Sequence, residues 1–255
     1  LLDQAQAHLA AGGEAFPFPL SSGFEGFDTP ASFLQFNRAV KARVEVYRGQ
    51  YDSALTALSE SFLDDSVDAD FNLGVYHVFS NGSGDVTNGL NSPNIYAHPS
   101  IMTDAELQEG STEKDARVLA KVTTKESRTW QGVTSNLGFT QYESTTAPLA
   151  IIRNEELVLL RAEAYIGLGR FDEAITDLNT IRTRSGKLAA RADLTADNIV
   201  DELLHQRRYS LLFEGGHRWI DMRRHGRLSQ LPLDVEGHRV HERFPIPTPE
   251  MDARQ

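Results

Sequence analysis

His217, Asp221 and His225 recur at steps of four, which on a helix puts two imidazoles and a carboxylate on one face. That donor set suits zinc or iron. The two histidines lie eight residues apart, however, and eight residues of helix rise about 12 Å, too far for one ion to touch both rings. The favoured reading is an ion-pair network among Asp221, Glu214, Arg218, Arg224 and Arg208, with no metal and no cofactor. The same stretch holds Arg207, Arg208, Arg218, Arg223, Arg224 and Arg227, a density that elsewhere marks an anion or nucleic-acid patch. Here Asp201, Glu202, Glu214 and Asp221 are interleaved at helical spacing, so intramolecular pairing is expected instead.

Catalytic arrangements do not stand out. The chain holds no Gly-x-Ser-x-Gly elbow, no Gly-x-x-x-x-Gly-Lys-Ser/Thr loop and no His-Glu-x-x-His helix. The carboxylate pairs Asp64-Asp65 and Glu155-Glu156 bring glycoside hydrolysis to mind, since that reaction uses two carboxylates. Sequence neighbours on a helix point apart, so both pairs are expected as solvated surface charges. The chain is read as a non-enzyme.

Aromatic residues are the better binding candidates. Tyr76, Tyr96, Trp130 and Tyr142 combine a flat apolar face with a polar edge, and sugar rings offer C–H faces bordered by hydroxyls that match such surfaces. Asn72, Asn81, Asn88, Asn91 and Asn94 stand nearby in sequence as hydrogen-bonding groups for a rim. The competing reading has these aromatics covering a core beneath long loops, the usual fate of large amphipathic side chains.

Two helix pairs of similar design must carry these residues. In the first, Phe33, Phe36, Val40, Val44 and Tyr47 form one apolar stripe, Thr29-Pro30 makes a helix start, and Gly49 breaks the chain before Tyr51, Ala54, Leu55, Leu58 and Phe62. The second repeats the plan with Leu157, Leu160, Ala164 and Leu168, then Gly169, then Phe171, Ala174, Ile175, Leu178 and Ile181. A Gly-x-aromatic-Asp-x-Ala turn between amphipathic helices looks like a tetratricopeptide-type hairpin, with the small alanine permitting close approach. A third helical block is expected from Thr195, as a cap, to the bend at Gly215-Gly216, with a shorter helix ending at Gly226. Residues 64–148 lack a helical period and are rich in Asn, Ser, Thr, Gly and Asp, so they read as a loop-rich excursion with small strands near Val75 to Phe79 and Val118 to Thr124.

With 255 residues, 40% of them hydrophobic, the chain suffices for one sizeable core or two small ones. No run approaches the roughly 18 apolar residues of a membrane helix. A net charge of -11 argues against nucleic acid as a partner, and zero cysteines exclude disulfides, thiolate zinc sites and a cysteine nucleophile. Leu2, Ala5 and Leu9 already sit at helical spacing, which suggests the C-terminal portion of something longer.

The run Glu202 to Tyr209, then Phe213-Glu214-Gly215-Gly216-His217-Arg218-Trp219-Ile220-Asp221-Met222-Arg223-Arg224, closed by Phe244-Pro245-Ile246-Pro247 and Glu250, closely resembles the end of the SusD/RagB family. Gly26 to Phe33, Phe36 to Ala39, Ala162 to Tyr165 and Leu178 to Arg184 look like the same family, so the resemblance spans both ends of residues 1–255. Gln206 stands where many members carry Glu. The resemblance implies a mainly α, SusD-like fold in which tetratricopeptide-type hairpins form the scaffold and the excursion at 64–148 builds the ligand face. It also implies surface capture of a glycan or other small nutrient, delivery to a SusC-like TonB-dependent transporter, and a place at the outer membrane through a lipid anchor outside this chain. The alternative function is a protein–protein adaptor built on the helical hairpins.

Overall fold

In the computed structural model, which describes residues 1–254, the chain opens with a short helix, α1 (Leu2–Ala10), followed by α2 (Pro30–Tyr47) and α3 (Tyr51–Ser59). Thr29 starts α2 as expected. Its Oγ1 accepts from the Ser32 N–H at 3.2 Å, Ser32 Oγ accepts from the Thr29 N–H at 3.1 Å, and Pro30 fills the first turn. The irregular stretch that follows contains β1 (Gly74–His77), α4 (Ser100–Thr103), α5 (Ala116–Lys121) and a hairpin of β2 (Val122–Trp130) and β3 (Val133–Phe139). Then β4 (Leu149–Arg153) runs directly into α6 (Asn154–Gly167) and α7 (Phe171–Arg184), and α8 (Ile199–Ser210), α9 (His217–Arg224) and α10 (Thr248–Ala253) complete the helices. The fold is mainly α with small strands, paired antiparallel as β1 with β4 and β2 with β3.

Both hairpins turn where the glycines predict. Gly49 and Gly169 sit at φ +70° and +72°, and the next residue in each case donates back five residues, Gln50 to the Glu45 carbonyl and Arg170 to the Tyr165 carbonyl, both at 2.9 Å. This is a Schellman stop, which requires the left-handed conformation that glycine adopts without strain. One core gathers Ala39, Ala42 and Val46 of α2, Ala54, Ala57 and Leu58 of α3, and Leu157, Leu160 and Ala164 of α6, with Val75 and Ile152 from the β1–β4 pair. A second gathers Val158, Leu159 and Ala162 of α6 with Ala174, Leu178 and Ile181 of α7 and Ile199 and Leu203 of α8.

α6 is therefore the shared wall between the two cores, and the stripe of Leu157, Leu160 and Ala164 is only one of its two apolar faces. The hairpins, remote in sequence, meet where the Tyr51 ring covers Gly167. A Cβ there would lie 2.1 Å from a ring carbon. On α2 the expected seam is displaced: small residues take the deepest positions, Phe36, Val40 and Tyr47 flank them, and Val44 is exposed. α2 packs against α1, α3 and α6 at once, and only small side chains allow that closeness.

Three local expectations need correction. Val118 to Lys121 are helical rather than extended, because Asp115 Oδ1 accepts from the Arg117 N–H at 2.9 Å and starts α5; the strand begins at Val122. α8 begins at Ile199, and the Thr195 side chain does not cap it: the Thr195 N–H instead donates to Asn198 Oδ1 at 2.7 Å. Glu155 and Glu156 are buried, not solvated, since the start of α6 is sheathed by α2 and α8. Glu156 pairs with Arg43 at 2.6 Å, and Glu155 with Arg153 and Ser210.

The expected network around Asp221 exists in part: Arg224 is in it, whereas Glu214, Arg218 and Arg208 are replaced by Arg207 and Glu163. Asp221 pairs with Arg207 at 2.7 Å and Arg224 at 3.0 Å, and Arg224 reaches Glu163 on α6 at 2.7 Å. Glu214 belongs to a separate cluster, Arg208 pairs with Asp104 at 2.8 Å, and Arg218 donates to the Leu204 carbonyl at 3.3 Å. These charges tie α6, α8 and α9 together. Among the described residues no helix is long and apolar enough to cross a membrane.

Candidate functional site

A third apolar cluster lies under the excursion and explains how a helical scaffold holds a groove in place. Ala97, Ile101, Ala105, Val118, Val122 and Leu137 pack on Tyr209 of α8, whose hydroxyl donates to the Ile101 carbonyl at 3.1 Å. Above this cluster the segment Asn94–His98 runs beside β3: the Ala97 N–H donates to the Leu137 carbonyl at 2.8 Å, and Ser135 Oγ to the Ala97 carbonyl at 2.6 Å.

The β2–β3 hairpin turns through Gln131 and Gly132 at φ +48° and +82°, the paired positive values a two-residue hairpin loop demands. Its tip is gripped by the chain after α9. Val235 touches Gly132 so closely that a Cβ there would lie 2.7 Å from a methyl, and His238 Nε2–H donates to the Gln131 carbonyl at 2.9 Å.

The result is a groove of about 940 Å³ between Asn94–His98 and the outer part of the hairpin. Tyr96 and Trp130 both line it, together with Arg128 and His98. Trp130 is 78% exposed, a large apolar surface that belongs to none of the three cores and stacks on no other ring among the described residues. The other tryptophan contrasts with it: Trp219 Nε1–H donates to the His241 carbonyl at 2.9 Å, and its ring packs on Phe244 and beneath Arg223. Tyr96 donates its hydroxyl to the Glu126 carbonyl at 3.2 Å, which orients its ring. The Arg128 guanidinium lies 5.8 Å from that ring's centre and donates to Asn94 Oδ1. His98 accepts the Ser100 N–H at Nδ1, so its Nε2–H faces Asp234 at 2.9 Å.

Tyr76 and Tyr142 fall elsewhere, in a second cavity of about 740 Å³. Tyr142 is only 7% exposed, and its hydroxyl donates to the Phe213 carbonyl at 3.1 Å. Tyr76 is half-buried and donates to the Asn72 carbonyl. Burial raises both phenol pKa values. The floor here is a compact charge cluster: Arg153 bridges Glu155 and Glu214, and Lys121 meets Glu214 at 2.8 Å. Burial alone would raise the Glu155 pKa, but the Arg153 and Lys121 charges outweigh it and hold that carboxyl at about 2. Burial lowers the Lys121 ammonium. With each carboxylate facing a cation, this floor reads as structural.

The four predicted aromatics thus divide into two pairs, and the open groove holds Tyr96 and Trp130. Sequence reasoning missed Arg128 and His98. The signal for Arg128 was its place two residues before Trp130 in a run ending at Gln131-Gly132, which puts both on one face of a hairpin strand. Of the asparagines, Asn94 reaches the groove, whereas Asn88 is buried and holds the loop by donating to the Ala147 carbonyl at 2.8 Å. His217, Asp221 and His225 are engaged by Tyr47, Arg207 and Glu163 respectively, and among the described residues no three such side chains converge as metal ligands do.

Helix hairpins that present an irregular excursion with an aromatic groove define a helical scaffold protein whose candidate binding surface is built by loops and a strand hairpin. Residues 113–253, more than half of the chain, match the SusD family, and the chain belongs to that family. A SusD-like carbohydrate binding protein from Bacteroides fragilis NCTC 9343 is 16% identical, with a TM-score of 0.61 covering 88% of this chain and 58% of that one. A SusD superfamily protein from Bacteroides vulgatus ATCC 8482 is 20% identical, with a TM-score of 0.56 and coverages of 77% and 53%. Another from Bacteroides thetaiotaomicron VPI-5482 is 20% identical, with a TM-score of 0.54 and coverages of 92% and 59%. At these identities the likeness is one of fold, and the chain spans only between half and three fifths of each of those structures. No curated protein matches it in sequence.

Proposed function

We propose that this protein binds glycans or related nutrients without chemically altering them, holds them in the Tyr96–Trp130 groove, and passes them to a SusC-like TonB-dependent transporter in the outer membrane. In this reading the whole protein is a surface-exposed lipoprotein whose anchor lies outside this chain. The observation that carries the proposal is Trp130, a tryptophan 78% exposed on a hairpin whose tip and base are both held by the rest of the fold. A hairpin fixed at both ends presents the indole face to solvent at a set place, where a sugar face can stack on it. Membership of the SusD family, and the carbohydrate-binding description of the B. fragilis relative, support the same reading.

The adaptor alternative has less support, because the facing sides of both hairpins are buried in the two helical cores. A glycan array run beside hydrolysis assays tests the proposal. Retention of a sugar with no release of product is the expected result. Turnover of a bound sugar, or tight binding of extended peptides with no glycan retained, would overturn it.

A further inference from the structure

The groove carries a single formal charge, and it is positive. Its lining includes the guanidinium of Arg128 but no Lys, Asp or Glu side chain, and the imidazoles of His98 and His238 are engaged by Asp234 and the Gln131 carbonyl, in a chain whose net charge is -11. His98 stands between the groove and Asp234, and that carboxylate does not itself line the groove. Arg128 makes no ion pair among the described residues; Asn94 Oδ1 engages one of the guanidinium's five N–H donors. Arg117, Lys121 and Arg153, by contrast, each face a buried carboxylate; Lys114 and Lys125 are outside any ion pair among the described residues, but neither lines the groove. Arg128 also lies two residues from Trp130 on β2, roughly 7 Å along the strand, on the scale of one sugar ring.

We propose that the groove is selective for acidic sugars: the ligand's carboxylate or sulfate group is held by Arg128 while its ring stacks on Trp130. This rests on the glycan reading above and specifies its substrate class. A planar guanidinium offers two parallel donors that fit a carboxylate or sulfate edge. The overall negative charge repels polyanions at long range, so any preference for the acidic form must arise from this local contact.

The test is calorimetric titration of wild type, Arg128→Gln, Arg128→Lys and Trp130→Ala with two matched pairs. One pair is an oligogalacturonate and its methyl ester; the other is a carrageenan oligosaccharide and its desulfated form. Wild type is expected to bind at least one acidic form about tenfold to a hundredfold tighter than its neutral partner, the size of a hydrogen bond to a charged group. The pair that shows the preference tells carboxylate from sulfate. Arg128→Gln should erase the preference with neutral-form affinity retained, Arg128→Lys should keep part of it, and Trp130→Ala should weaken both forms. Equal binding of acidic and neutral partners by wild type, or a preference that survives in Arg128→Gln, overturns the inference. Failure of all four ligands while other neutral glycans bind also overturns it and leaves the glycan reading standing, whereas failure of every glycan overturns both.

Discussion

Replacing Arg153 by Met should unfold the junction of scaffold and excursion more readily than any single change at the groove. Arg153 Nε donates to Glu214 at 3.0 Å, and its terminal nitrogens donate to Glu155 and to the carbonyls of Ser210 and Phe71. Without it, Glu214 retains Lys121 at 2.8 Å and Gln141 at 3.1 Å, but Glu155 keeps only the Ser210 hydroxyl at 2.7 Å as a side-chain hydrogen-bond partner and the Lys121 charge as its remaining cation. A buried carboxylate stripped of its directly paired cation costs roughly 3–5 kcal/mol, and the Lys121 charge places the expected loss toward the lower end. Urea unfolding followed by circular dichroism at pH 7 measures the loss. The double variant Arg153→Met/Glu155→Gln should recover part of it, because the uncompensated charge is removed with its partner. The deficit of the single variant should also shrink near pH 4.5, where a desolvated Glu155 without Arg153 takes up a proton. A loss below about 1 kcal/mol, or a double variant as unstable as the sum of the two singles, would refute the reasoning.

Acid should destabilise the wild-type protein in stages. Burial lowers the His217 pKa below 6.5, so the unfolded chain binds that proton first and stability begins to fall below that pH. Glu155 and Glu163 are each held at about 2 against an ordinary 4.5, because the cations and hydrogen bonds around them outweigh burial. Their stabilisation is complete above 4.5 and is lost as pH falls toward 2, at roughly 1.4 kcal/mol per pH unit for each group; a flat unfolding free energy from pH 6 to 3 would contradict this. Substituting Leu for Ala54 or Ala174, both fully buried between helices, should destabilise by roughly 1–3 kcal/mol, and an unchanged melting curve would mean those contacts have room to spare.

The scaffold was legible in the sequence because its signals are local. Thr29-Pro30, Gly49 and Gly169 each encode a backbone state that few other residues supply, and the alanines that follow the two turns mark where helices touch. What escaped was set by position in the fold. Glu155 and Glu156 look like surface charges until Arg43, Arg153 and Ser210 arrive from α2, β4 and α8. The second apolar face of α6 was hidden because a helix buried on both sides has no single stripe to find. Likewise, sequence alone nominated four aromatics but could not divide them, since the division depends on the pairing of Asn94–His98 with β3 and the grip of Val235 and His238 on the hairpin tip. The final residues resembled their family more plainly than the groove did, as that resemblance lies in packing motifs.

The most direct test of the central claim is the Trp130→Ala variant, measured twice: its melting curve, and its affinity for the tightest glycan retained by wild type. Because Trp130 is 78% exposed and lies outside the apolar cores, stability should stay within about 0.5 kcal/mol of wild type. Affinity should fall by roughly 1–3 kcal/mol, about five- to 150-fold. Unchanged affinity, or a stability loss of roughly 3–5 kcal/mol as for a core tryptophan, would contradict the account.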